Sequence, residues 1–189
     1  EDEENEEEKE EKEEEDEEIE DEDLIADEDM VVTLTHTGYI KRIPTAEYRL
    51  QRRGGKGLKG ADNKEEDYVE RVFSASTKTS LLVFSDRGKL YWLKVHKLPQ
   101  GSRTAKGRAI NNVVSLSQGE MVRAILPVEE FNDKNFVVML TEKGIIKKTG
   151  LDAFSRPRPS GIIALTTDLD DTLIDSKISQ GSNDIVIVT

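Results

Sequence analysis

Residues 30–43 read MVVTLTHTGYIKRI: an apolar run, Met30–Thr35, a His36-Thr37-Gly38 turn, and a return through Tyr39–Ile43. β-Branched and aromatic residues on both sides of a short glycine-containing turn predict a β-hairpin. The unit recurs. Leu81–Phe84 (LLVF) turns at Ser85-Asp86-Arg87-Gly88 into Lys89–Leu93 (KLYWL). Phe136–Leu140 (FVVML) turns at Thr141-Glu142-Lys143-Gly144 into Ile145–Thr149 (IIKKT). A fourth copy starts at Asp184 with Ile185–Val188 (IVIV) and stops at Thr189, so the chain is expected to end inside its own architecture.

The hairpin glycines Gly38, Gly88 and Gly144 lie 50 and 56 residues apart. A second glycine, Gly57, Gly107 or Gly161, follows each by 19, 19 and 17 residues and closes an Arg/Lys-bearing loop at 51–57, 101–107 or 155–161. Another strand candidate comes after each loop: Tyr68–Ser74, Met121–Leu126 and Thr172–Ile178. Two anchors per period of about 50 residues imply an all-β repeat protein with one small sheet per unit.

Charge divides the chain in two. Of its 189 residues, positions 1–29 hold 22 acidic and two basic ones (Lys9, Lys12), while 30–189 hold 18 acidic and 25 basic, a net of +7. Segment 1–23 is low-complexity Glu/Asp with one apolar residue, Ile19, and is read as a disordered acidic linker because it cannot bury enough surface to order itself. A basic body behind an acidic leader suits a domain that meets polyanions. Absence of cysteine removes disulfides, thiolate zinc sites and cysteine nucleophiles, and suits a reducing compartment. No apolar run approaches the ~18 residues of a membrane span. Glu1–Glu15 is the opposite of a basic-then-apolar targeting peptide, and without an initiator Met the chain reads as a fragment, expected to be cytoplasmic.

The loop Gln51-Arg52-Arg53-Gly54-Gly55-Lys56-Gly57 puts three cations and three glycines in seven residues. Arg forks suit phosphate oxygens, and bare glycine backbone lets a ligand approach the N–H groups. A mobile surface turn has the same composition, and the G-x-x-x-x-G-K-[ST] order of a nucleotide loop is missing. Equivalent cations recur at Arg103, Lys106 and Arg108 and at Arg156 and Arg158; Arg49 and Lys59 flank the first loop, and the hairpins add Lys41, Arg42, Lys89, Lys147 and Lys148. Cations on hairpins also serve merely to keep strand edges soluble. With no recognition helix and no groove-reading Asn or Gln cluster, binding would follow shape and charge. The other reading of these residues is a propeller scaffold that binds proteins through its loops.

QRRGGKG resembles the signature box of the C-terminal domain of bacterial DNA gyrase A subunits. The lead-in is similar too: Asp23–Met30 (DLIADEDM), Val31–Pro44 (VVTLTHTGYIKRIP) and Thr45–Leu50 (TAEYRL). The resemblance covers roughly 23–189, and an intact seven-residue box favours gyrase over the paralogous topoisomerase IV. It implies a β-pinwheel: a disc of about six propeller-like four-stranded blades that trade strands with their neighbours. Blades are then expected at about 24–79, 80–133 and 134–182, with a fourth beginning at 183–189. By the same resemblance, double-stranded DNA bends around the basic rim, with Gln51 to Gly57 as the box. The partners implied are the rest of the gyrase A subunit and the gyrase B subunit. ATP and Mg2+ act through other domains, so no cofactor is expected in this piece, and the setting is the nucleoid. The family's DNA-cleaving tyrosine lies in its N-terminal region, which makes this fragment non-catalytic.

Other chemistry finds no support in the residues. His36 and His96 sit in or near turns without triad spacing, and Asp168-Leu169-Asp170-Asp171 lacks EF-hand spacing and its terminal Glu.

Overall fold

A computed structural model describes residues 24–48 and 67–187. The acidic leader, Arg49, the whole 51–57 loop and Lys59 lie outside the described residues. Eleven strands are described: β1 (Asp29–Thr35), β2 (Tyr39–Pro44), β3 (Val69–Ser76), β4 (Ser80–Ser85), β5 (Lys89–Lys94), β6 (Arg108–Ala109), β7 (Val122–Val128), β8 (Phe136–Thr141), β9 (Ile146–Gly150), β10 (Ile162–Ile163) and β11 (Leu173–Ser179). They form three antiparallel sheets in the orders β3-β1-β2-β6, β10-β5-β4-β7 and β11-β8-β9.

Each repeated hairpin turns in the same way. The innermost pairs are Leu34 with Ile40, Phe84 with Leu90 and Leu140 with Ile146. The strand-ending hydroxyls Thr35, Ser85 and Thr141 accept the backbone N–H four residues on, at 3.1, 3.3 and 3.0 Å. Gly38, Gly88 and Gly144 follow at φ +84, +71 and +86°, the left-handed conformation that glycine adopts without cost.

A carboxylate stands two residues before the last strand of each repeat, and in the first and third repeats it holds that turn. Asp67 Oδ1 accepts the Thr37 N–H (3.1 Å), and Asp171 Oδ1 accepts those of Lys143 (3.1 Å) and Thr172 (2.9 Å). At the equivalent position Glu120 Oε2 accepts from Ser117 N–H and Tyr91 OH, both at 2.8 Å. Burial opposes ionisation of all three, but the hydrogen bonds, led by the hydroxyls of Thr37, Ser85 and Thr141, outweigh it and hold each below the usual carboxylate range. Burial, with the Glu120 carboxylate beside it, pushes the Tyr91 phenol up to about 12.

The middle sheet is covered on both faces, which explains the unbroken apolar run of β4. Leu81, Val83, Tyr91 and Leu93 point into one cluster with Met30, Val32, Leu34 and Ile40 of the first sheet. Leu82, Phe84 and Leu90 alternate to the other side and pack with Val137, Met139, Leu151 and Phe154 of the third.

The expectation of four-stranded blades is met in two sheets, each by borrowing. β6 belongs to the second repeat but pairs with β2 of the first, through Tyr39–Ala109 and Ile40–Arg108. β10 of the third repeat pairs in the same way with β5. The second glycine landmark follows from this. A Cβ on Gly107 would sit 2.5 Å from Ile40 O and one on Gly161 2.7 Å from Leu90 O, and both residues have positive φ. The third sheet has three strands among the described residues. The strand expected to start at Ile185 is corrected: Ile185, Val186 and Ile187 are exposed and in no sheet, because no described strand lies alongside to take up their hydrogen bonds.

Because Glu120 is more acidic folded than unfolded, its contribution is complete above the unfolded pKa and disappears as pH falls through the folded one. Glu120→Ala is therefore expected to cost about 1–3 kcal/mol at pH 7. Its stability loss on acidification should also be shallower than wild type, as read by urea unfolding from pH 7 to pH 3.

Candidate nucleic-acid interface

Charge is sorted along the second and third repeats. Residues 89–110, which run from β5 through the second loop to β6, hold six basic residues and no acidic one. Residues 145–163, the matching part of the third repeat, hold four basic and one acidic. The opposite side reverses the sign: 113–135, with β7, has four acidic and two basic residues, and 164–187, with β11, has five and one. β7 packs against β11, while β6 and β10 form the far edges of their sheets. Cations therefore collect on the borrowed-strand side.

The anticipated cations fall into two groups. Arg103, Lys106, Arg108, Arg156 and Arg158 are exposed on the loops that deliver β6 and β10. Lys106 rests its ammonium 3.9 Å over the Tyr39 ring, which orients it without removing its charge from water. Lys148 sits similarly over Phe136, 4.0 Å away. Lys89, half-buried, lies 5.4 Å from the centroid of the Tyr91 ring.

Three expected rim cations also hydrogen-bond to the protein itself, and of these Lys147 stays exposed. Lys41, instead of reaching solvent, is buried, and its Nζ donates to the carbonyls of Ser102, Arg103 and Ala105. Lys147, at the same repeat position, donates to Ala164 O at 2.7 Å. Arg42 Nε donates to Leu98 O at 3.0 Å across to the next blade. Trp92 stands where Arg42 stands in the first repeat and makes the same bond, Nε1 to Phe154 O at 2.8 Å. Donors at this place stitch neighbouring blades together.

The sequence reading missed the turn-holding carboxylates and this stitch. A signal for the carboxylates existed: an acidic residue immediately before each third-strand candidate, at Asp67, Glu120 and Asp171. The stitch had none, since Arg and Trp share a donor N–H but no pattern.

The remaining polar clusters are local. His36 stacks on Tyr68 with centroids 4.9 Å apart, and Asp170 pairs with Lys143. No group of His, Asp and Glu among the described residues is arranged to hold a metal ion. No helix among them is long and apolar enough to cross a membrane.

This geometry matches known proteins. The family model described as DNA gyrase C-terminal domain, beta-propeller, matches residues 29–76, 79–129 and 135–179, one match per repeat. A DNA gyrase A subunit from Haemophilus influenzae is 52% identical over 166 residues, covering 88% of this chain and 19% of that protein. One from Fibrobacter succinogenes is 51% identical over 154 residues, covering 82% and 17%. The chain thus spans about a fifth of the length of the curated relatives it matches. Among solved structures, the C-terminal domain of DNA topoisomerase IV superposes with a TM-score of 0.69 at 26% identity, covering 85% of this chain and 48% of that one. A DNA gyrase A C-terminal domain superposes at 0.59, also at 26% identity, covering 80% and 48%.

The two groups of cations differ in what they stabilise. Arg42→Ala is expected to cost about 1–3 kcal/mol by denaturant unfolding, since it leaves the Leu98 carbonyl unpaired at a blade seam. Arg156→Ala and Arg158→Ala should each stay within about 0.5 kcal/mol of wild type in the same measurement.

Proposed function

The chain belongs to the DNA gyrase C-terminal domain family, and on that premise we propose that it is the DNA-binding, bending and wrapping module of a gyrase A subunit. The observation that carries this reading is the sorting of charge: cations collect on the segments that deliver the borrowed strands, and in the second and third repeats carboxylates collect on the opposite side.

Bending a 20–30 bp site by 40–90° costs on the order of 1–6 kcal/mol. Many phosphate contacts along a curved path must offset that cost, and a repeat supplies them without any one strong site. Each blade offers its own loop: Arg52, Arg53 and Lys56 from the first, Arg103, Lys106 and Arg108 from the second, Arg156 and Arg158 from the third. Lys59, Lys89, Arg49 and Lys148 extend the path. Sequence preference is weak in this scheme, because phosphate contacts position a duplex without reading bases.

In the parent enzyme this module works beside the remainder of the gyrase A subunit and with the gyrase B subunit on double-stranded DNA in the bacterial cytoplasm, associated with the nucleoid. It performs no bond chemistry of its own. Cleavage and ATP hydrolysis belong to other domains, and the wrap held here biases strand passage toward negative supercoils. The intact QRRGGKG box favours this assignment over topoisomerase IV.

If ~6–10 phosphates are contacted, affinity for plasmid DNA falls about 10³–10⁵-fold between 50 and 200 mM salt. A protein-binding scaffold would show little duplex affinity at either concentration. In the full-length enzyme, Arg52→Ala, Arg53→Ala and Lys56→Ala together are expected to abolish supercoiling and leave relaxation largely intact. Retained supercoiling in that triple variant contradicts the role given to the box.

A further inference from the structure

One side chain fastens the second cationic loop to the neighbouring blade. Lys41 leaves the middle of β2 with 7% of its surface exposed. Its ammonium donates to Ser102 O at 3.0 Å, Arg103 O at 2.8 Å and Ala105 O at 2.6 Å, which uses all three of its N–H donors. Burial pushes its pKa below the usual lysine value. The loop is tied on both sides of this cage. Upstream, Arg42 N–H donates to Pro99 O and Gly101 N–H to Arg42 O, each at 3.0 Å. Downstream, Gly107 lies against Ile40 O and leads into β6. The backbone of 102–105 therefore wraps an ammonium, while Arg103, Lys106 and Arg108 remain exposed on its outside.

The third loop solves the same problem differently. Tyr91 occupies the repeat position of Lys41, and its hydroxyl goes to Glu120 rather than to the loop. That loop carries Pro157 and Pro159, whose rings restrict the backbone by themselves. Residues 101–107 contain no proline and a glycine at each end, a composition that leaves the backbone free unless something holds it.

We propose that Lys41 is a positioning residue: its ammonium moulds residues 102–105 so that Arg103, Lys106 and Arg108 meet a duplex as one preformed phosphate-binding set. The preformed set rests on the DNA-wrapping reading; the moulding of the loop does not.

Lys41→Met in the full chain keeps the unbranched stem and removes the donors. Trypsin should then cleave after Arg103 and Lys106 roughly tenfold to a hundredfold faster, since cleavage tracks the population of the open loop, while cleavage after Lys177 in β11 stays unchanged. Duplex affinity should fall in Lys41→Met, and fall no further when the same change is added to an Arg103→Ala, Lys106→Ala, Arg108→Ala chain. Unchanged cleavage of the loop overturns the proposal, and so does an equal loss of affinity in both backgrounds. If the wild-type chain binds no duplex, the wrapping reading fails, and the cleavage rates still decide whether Lys41 moulds the loop. Should Lys41→Met not fold, the wild-type chain labelled with 15N-lysine decides instead. A slowly exchanging ammonium resonance that vanishes in Lys41→Arg supports the cage, and its absence overturns it.

Discussion

The first and second sheets each depend on a two-residue strand that belongs to the next repeat. β6 and β10 are too short to be stable alone, yet each covers the edge of a sheet built by the preceding repeat. Gly107 and Gly161 make the docking possible, because any side chain there would collide with the backbone of β2 or β5. The cationic loops arrive with these strands, so each loop is located by its neighbour's sheet as much as by its own. Blade-to-blade geometry and charge placement thus rest on the same few hydrogen bonds.

Repeat positions keep their geometry while changing their chemistry. The slot that holds Arg42 in the first repeat holds Trp92 in the second, and both donate to the carbonyl of the equivalent residue in the next blade, Leu98 or Phe154. The slot of Lys41 is filled by Tyr91 and Lys147, whose partners all differ. What persists is the demand that a buried donor be paired, and the residue that meets it can vary.

The hairpins, the period and the two glycine series were legible in the sequence because each has a local cause: alternating burial, a hydroxyl-closed turn, a left-handed residue. Borrowed strands left no such mark, since two residues carry no periodicity. Lys41 and Arg42 read as rim cations because charge suggests solvent, whereas β2 faces the next repeat's loop and the carbonyls there take up their N–H groups. The apolar run at Ile185 has strand composition, but composition does not supply a hydrogen-bonding neighbour. As for the box itself, its meaning came from family resemblance, with residues 51–57 outside the described structure.

On the wrapping proposal, a cationic edge made of repeated loops acts on DNA through shape and charge, and its consequence is a change in the path of the duplex. The most direct measurement is the end-to-end distance of a linear duplex shorter than its ~150 bp persistence length, read by energy transfer between its labelled ends as this chain is added to saturation. Wrapping predicts a marked shortening that reverses at high salt. A saturated duplex that stays as long as the free one contradicts it.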